Sequence, residues 1–206
     1  MRLSAGASSL HSFEWDGTSD CDPPAAPDVQ RALEPEDDGS LLEPTRMVRD
    51  GALLSVVAST YVLLLLRFNP RIFLRHYPKE IQENVPPKTA KEKRMSIGLG
   101  IPLILLLVGS PFASSLIWRA EAQTGPSFWE LAEHAFGVIF IFNLFDLLIL
   151  DWLILCRFTP RWVLLPGAEH IVIPKPYLQH FQGFLAGTIF SVVVGIAAAA
   201  FLKFLL

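Results

Sequence analysis

The polar residues of one long apolar stretch are the side chains in this sequence best placed to do chemistry. Residues 136–156 are apolar enough, and at about 20 residues long enough, to cross a bilayer as a helix. This stretch nevertheless contains Asn143, Asp146 and Asp151. A carboxylate at mid-depth of a bilayer costs roughly 2.5–3.5 kcal/mol on insertion scales. We therefore expect Asp146 to face other helices or a wet cavity rather than lipid.

Two roles are open for Asp146. It is either the titrating group of a proton-linked transporter or, together with Asn143, a hydrogen-bonding group that joins helices without turnover. The second role is favoured. Four hydroxyl groups are predicted at similar depth on other spans and are the candidate partners of Asp146: Ser59, Thr60, Ser110 and Ser191.

Helical geometry separates the two carboxylates. Asn143 and Asp146 are three residues apart and share a face, whereas Asp151 lies about 140° further round an α-helix than Asp146. The spacing therefore does not predict an Asp146–Asp151 pair. Asp151 lies nearer the end of the span, and its expected partner is an arginine from a nearby interface, namely Arg67, Arg157 or Arg161.

The remaining ionisable groups give no enzyme signature. Glu130 and His134 are spaced i, i+4, but two ligands are too few for a metal site, so a surface pair is predicted. No zinc-protease, serine-hydrolase or phosphate-binding motif is present, and Ile101 follows Gly98-Leu-Gly100 where an intramembrane aspartyl protease requires Asp. No catalytic residue, metal or cofactor is predicted. A cavity lined by Asp151, Arg161 and a histidine would instead favour catalysis.

The elements that must position these residues are four membrane spans. The chain is 51% hydrophobic with a mean hydropathy of +0.41, and its apolar residues are gathered into blocks, which is typical of an all-α membrane protein. Ser127-Phe-Trp-Glu130 has the capping-box spacing that begins a helix, and Thr159-Pro160 ends it. Cys21 and Cys156 predict no disulfide framework. The predicted spans are residues 51–66, 96–118, 135–156 and 184–202.

An acidic tail precedes the membrane domain. Residues 1–46 are rich in Ser, Pro, Asp and Glu and contain no periodic apolar run, so we expect this segment to be disordered. Translation from Met47 would omit it, and the sequence leaves that alternative open. The membrane domain is predicted to comprise residues 47–206.

Basic residues near the span ends predict the topology. The connections 67–94 and 157–182 are rich in Lys and Arg, which places both in the cytoplasm and both termini outside a bacterial inner membrane. Arg67-Phe-Asn-Pro-Arg71 and Arg157-Phe-Thr-Pro-Arg161 match at four of five positions. The match predicts two helical hairpins in the same orientation, unless Arg and Pro are simply a common way to end a span.

A stripe of small residues follows one face of the last span. Small side chains at every fourth position let another helix approach closely, either in the same chain or in a second copy. This pattern predicts helix packing and allows a homodimer or another membrane partner on this face. The stripe consists of Gly183, Gly187, Ser191, Gly195 and Ala199.

A weak resemblance completes the sequence evidence. His76-Tyr-Pro-Lys79 and the run 143–153 resemble segments of small bacterial multi-span membrane proteins without an assigned role, over residues 47–206. The resemblance implies no activity and no binding residue. The favoured function is a non-enzymatic, self-associating membrane component or scaffold that contacts the lipid bilayer and no nucleic acid. A proton- or ion-coupled transporter or channel subunit with Asp146 as titrating group comes next, and a membrane-embedded enzyme third.

Overall fold

The described part of the chain is mainly helical. The computed structural model describes residues 39–122, 124–165, 167–168 and 175–204, and within them there is no strand. Four helices are long and apolar enough to cross a membrane. The predicted all-α membrane fold with four spans is therefore confirmed.

Five α-helices, one π-helix and two short 3₁₀-helices make up the described residues. The α-helices are α1 (Gly39–Phe68), α2 (Lys79–Asn84), α3 (Ala90–Glu121), α4 (Phe128–Phe145) and α5 (Tyr177–Phe204). The π-helix (Asp146–Phe158) continues α4 without a break, and the 3₁₀-helices are Pro70–His76 and Arg161–Val163.

Each span is longer than the sequence predicts. The four candidate spans are Pro44–Phe68, Ala90–Glu121, Phe128–Phe158 and Tyr177–Phe204. The ends of these helices carry polar residues. A hydropathy pattern does not assign polar residues to a span, although they continue the hydrogen bonding of the helix. α1 begins at Gly39 and so overlaps the last residues of the predicted tail, whereas residues 1–38, with Cys21, lie outside the described residues.

Local hydrogen bonds explain where the long helices begin and end. Thr89 and Glu92 form a capping box at the start of α3, and Ser127 and Glu130 form the predicted one at the start of α4. The π-helix stops at Thr159, whose φ of 43° lies in the left-handed region. The predicted helix end at Thr159-Pro160 is confirmed.

The bundle has two distinct ends. At one end a short connection, residues 122–127, joins α3 to α4; we call this the short-turn end. The connections 69–89 and 159–176 lie at the opposite end, which we call the long-loop end. α4 is the central helix, because it packs against α1, α3 and α5.

The two arginine–proline motifs have similar local structures. In each, a spanning helix ends just before the proline, at Phe68 or Phe158, and a 3₁₀-helix follows. They differ in the residue before the proline, because Asn69 is extended and accepts a hydrogen bond from Arg71 N, whereas Thr159 is left-handed. In both motifs a spanning helix is therefore followed by a 3₁₀-helix, but the backbone turn between the two helices differs.

The small-residue stripe of α5 contacts α4 of the same chain. A Cβ on Gly195 would lie 2.7 Å from the carbonyl oxygen of Ala132, and a Cβ on Gly187 would lie 2.3 Å from Oδ1 of Asn143. Ser191 and Ala199 are both fully buried. α4 therefore packs against this face from Gly187 to Ala199.

Candidate functional site

A cavity lies among α1, α3, the π-helix and α5, on the side of the bundle toward the long-loop end. Its volume is about 610 Å³, within the range of sites for small molecules. Leucine, valine and phenylalanine side chains form most of its wall. Its polar lining residues are Asn143, Asp146, Asp151, Thr159, Lys175, Gln179, His180, His76 and Tyr77.

Asp146 lines this cavity without a partner. Its side chain is half-buried, and no hydrogen bond or ion pair joins its carboxyl group to another described residue. Its electrostatic neighbours are Asp151 and His180. Asp146 therefore lines a cavity between the helices, and no described residue satisfies its carboxyl group.

The hydroxyl groups expected to bind Asp146 do not do so. Thr60 donates to the carbonyl of Val56 at 2.7 Å, and Ser191 donates to the carbonyl of Gly187 at 2.8 Å. The buried hydroxyl oxygens of Ser59 and Ser110 have no partner. Equal depth was a poor guide, because hydroxyls on helices commonly bond the carbonyl four residues back.

Asn143 forms the hydrogen bonds between helices that the sequence analysis considered for both Asn143 and Asp146. Its Nδ2 donates to the carbonyl of Phe184 at 2.9 Å and to Oγ1 of Thr188 at 3.1 Å. Both acceptors are on α5, beside the close approach at Gly187. Asn143 therefore joins α4 to α5, whereas Asp146, three residues later, does not.

The π-helix brings the two carboxylates to the same cavity. In a π-helix the hydrogen bond runs from residue i+5 to residue i, so residues five apart lie roughly above one another. Asp146 and Asp151 are five apart and both line the cavity. The prediction that they lie on separate faces is wrong, because it assumed α-helical winding throughout.

Asp151 is paired with a histidine and not with an arginine. Its Oδ2 lies 2.9 Å from Nδ1 of His180 on α5, and both side chains are largely buried. Arg157 and Arg161 are exposed to solvent. The expected arginine partner is therefore incorrect, and sequence reasoning missed His180 because nothing local indicates that α5 begins beside Asp151.

The connection 69–89 is held beside the cavity at the long-loop end by hydrogen bonds. The hydroxyl of Tyr77 donates to the carbonyl of Val163 at 2.6 Å, and burial raises the pKa of Tyr77 to about 12, so the donor keeps its proton. Lys88 donates to the carbonyl of Ile72 and to Oγ of Ser96, and partial burial lowers its pKa. This connection is therefore packed structure and not a loose loop.

A second polar cluster lies near the short-turn end, away from the cavity. Oγ of Ser114 is 2.5 Å from Oδ2 of Asp50 and 2.7 Å from Nε2 of His134. A carboxylate only accepts, so the serine donates to Asp50 and receives the Nε2 proton of His134. Arg49 donates to the other carboxylate oxygen at 2.8 Å. This network joins α1, α3 and α4.

The predicted surface pair of Glu130 and His134 does not form. Glu130 caps α4 through Ser127, while His134 is 4% exposed and its ring lies 5.2 Å from that of Trp118. A serine and a histidine at this distance resemble a nucleophile and its base. In a catalytic triad the acid binds the histidine, whereas here Asp50 binds Ser114 and makes no hydrogen bond to His134. Ser114 is also buried, so this cluster is structural.

The described lining of the cavity contains neither a cluster of metal ligands nor the catalytic set that the sequence analysis considered. Among the described residues, no group of three or more His, Cys, Asp or Glu side chains is placed to hold a metal ion. Asp151 and two histidines line the cavity, but Arg161 does not. Residues 169–174 lie outside the described residues.

Comparisons with known proteins provide no functional assignment for this chain. Comparison with protein-family models, curated proteins and solved structures finds no match. The geometry of the cavity is therefore the basis for assigning a role. What that geometry establishes is a four-span membrane protein that encloses a half-polar cavity with an unpaired carboxylate.

Proposed function

We propose that this protein binds a small amphipathic molecule in the cavity between its spans. The proposal rests on one observation: Asp146 lines the cavity, and its carboxyl group has no partner among the described residues. A carboxyl group at such a position is costly and marks a functional site by default. A purely structural acid would be paired, as Asp50 is.

The shape of the cavity supports an amphipathic ligand. The wall formed by α1 and α3 is apolar, with Leu63, Leu66, Leu103 and Leu107. The opposite wall and the long-loop end carry the polar side chains. A molecule with an apolar body and a polar group would match both walls, as is usual for small-molecule sites.

Charge distribution supports a cytoplasmic position for the long-loop end. Its exposed cations include Arg67, Arg75, Lys79, Lys91, Lys93, Arg94, Arg157 and Arg161. At the short-turn end, Arg46 pairs with Glu121 and Arg49 pairs with Asp50. The long-loop end therefore carries more Lys and Arg than the short-turn end, so the cavity would open toward the cytoplasm.

Photolabelling tests whether the cavity accepts a ligand. The full chain in phosphatidylcholine nanodiscs is labelled with an octanol that carries a diazirine, and the modified residues are mapped by mass spectrometry. We expect saturable labelling of cavity residues such as Phe142 and Leu150. Leu107→Trp, which fills the cavity, should reduce this labelling at least about fivefold, equivalent to about 1 kcal/mol of binding free energy.

Leu105→Trp is the matched control. Leu105 lies on the same helix but is 66% exposed on the outside of the bundle, so the same change in volume leaves the cavity open. The proposal is wrong if labelling is confined to outward-facing residues such as Leu105 and Leu148. It is also wrong if Leu107→Trp, shown to be folded by its thermal unfolding, is labelled like the control.

Proton-linked transport is the second candidate function. Asp146, Asp151 and His180 form a row of titratable groups from the interior of the bundle toward the long-loop end, and such rows serve as proton relays. Proteoliposomes with a pH-sensitive dye inside test it directly. Transport requires a proton flux that Asp146→Asn abolishes, and an equal flux in that variant and in empty vesicles excludes it.

Self-association as a scaffold is supported less well than ligand binding. The stripe expected to form a dimer contacts α4, and a scaffold requires no cavity. If the chain is a dimer, we propose that the exposed face of α3, which includes Ile97, Ile101 and Ile104, carries the contact instead.

A further inference from the structure

We infer that the ligand of the cavity carries an ammonium group, which binds between Asp146 and Asp151. This inference rests on the proposed function. It begins from the hydrogen-bond donors around the cavity, four of which already bind carbonyl groups of the protein. They are Nδ2 of Asn143 to Phe184, the hydroxyl of Tyr77 to Val163, the hydroxyl of Thr159 to Leu155, and Nε2 of Gln179 to His76.

The acceptors, by contrast, remain open. Asp146 offers both carboxylate oxygens, and Asp151 offers the oxygen that does not face His180. A ligand that satisfies these groups must therefore donate hydrogen bonds. An ammonium group offers up to three donors at one point, whereas an alcohol offers one.

The balance of charge leads to the same chemistry. Two carboxylates lie on one side of the cavity, and His180 can neutralise only the one that it contacts. Lys175 also lines the cavity, but no hydrogen bond or ion pair joins it to Asp146. An ionised Asp146 therefore has no positive charge bound to it among the described residues, and a carboxylate removed from water requires either a cationic partner or a proton.

The winding of the π-helix makes the two carboxylates act together. With α-helical winding, Asp151 would lie about 140° round the helix from Asp146 and could not share a ligand with it. The observed winding directs both into the cavity. Phe142 and Phe184 also line the cavity, and aromatic rings attract cations that lie over their faces.

Two photoprobes with the same body test this inference. Diazirine-bearing octylamine and octanol differ only in the head group, and each is titrated against the full chain in phosphatidylcholine nanodiscs. We expect the amine to label cavity residues at a concentration at least about tenfold lower than the alcohol. Asp146→Asn should remove this preference and leave labelling by the alcohol unchanged.

Asp50→Asn is the control for loss of charge. It removes a carboxylate at the short-turn end, outside the cavity, so the preference for the amine should persist. If amine and alcohol label the cavity equally, or if Asp146→Asn keeps the preference, the ammonium inference is overturned while ligand binding stands. If neither probe labels the cavity saturably, both proposals fail.

A last arm separates two sources of the ammonium group. Phosphatidylethanolamine carries one, and a free lipophilic amine carries another. If the aminolipid is the occupant, replacing phosphatidylcholine with phosphatidylethanolamine lowers labelling by octylamine in proportion to its fraction. If a free amine is the occupant, labelling is the same in both lipids. Either result supports the ammonium group and names its source.

Discussion

The two ends of this bundle treat buried polar groups in opposite ways. Near the short-turn end, Asp50, Ser114 and His134 are joined by short hydrogen bonds, and Gly195 lets α5 lie directly on the backbone of α4. Toward the long-loop end the helices enclose a cavity, and Asp146 has no partner among the described residues. Near the short-turn end the intramembrane acid Asp50 is hydrogen-bonded within the protein, whereas Asp146 lines a cavity without a described partner.

The difference indicates which intramembrane acid holds the structure and which one is available for a ligand. Hydrogen bonds that are complete within the protein stabilise the fold, and their loss is costly. A carboxyl group that lacks them contributes little to stability and is retained for another reason. Three substitutions, the first two with a matched control, test this contrast in order of decreasing effect on the free energy of unfolding.

Gly195→Val should have the largest effect. Its Cβ would lie 2.7 Å from a backbone carbonyl oxygen, which cannot move as a side chain can. We expect a loss of about 3 kcal/mol, the upper end for overpacking, in reversible unfolding by sodium dodecyl sulfate. Gly183→Val, with no atom within 4 Å of the new Cβ, should change stability by less than about 0.5 kcal/mol. Equal losses would show that the two ends are packed alike.

Ser114→Ala should have an intermediate effect. It leaves both Asp50 and His134 without their shared partner, which costs about 2 kcal/mol. Ser110→Ala on the same helix removes a buried hydroxyl that bonds to nothing among the described residues, so stability should stay the same or rise. The same unfolding measurement compares the two. A neutral Ser114→Ala would mean that the network does not hold α1, α3 and α4 together.

Asp146→Asn should have the smallest effect on stability and the largest on binding. No hydrogen bond within the described chain is lost, and an uncompensated charge is removed, so the change should be below about 0.5 kcal/mol or favourable. Binding of the octylamine probe should fall at least about tenfold. A loss of 2 kcal/mol or more in unfolding would instead make Asp146 a structural residue like Ser114.

Local features of this fold could be read from the sequence, and long-range ones could not. The capping box at Ser127, the helix end at Thr159 and the apolar spans depend on neighbouring residues, so their patterns are visible. The direction in which Asp151 points depends on the π-helix. A π-helix differs from an α-helix by one residue per hydrogen-bonded turn, and an apolar run shows no pattern that distinguishes the two. The sharing of Ser114 between two helices depended on packing across the bundle.

The π-helix has a thermodynamic consequence for any occupant that touches both carboxylates. Such an occupant interacts with Asp146 and Asp151 together only while residues 146–158 keep their wide winding. By linkage, occupancy would then stabilise that winding to the same extent as the winding strengthens occupancy. A relaxation of the segment to ordinary α-helical winding would rotate Asp151 away and weaken its hold on the occupant, so retention and release would depend on helix geometry.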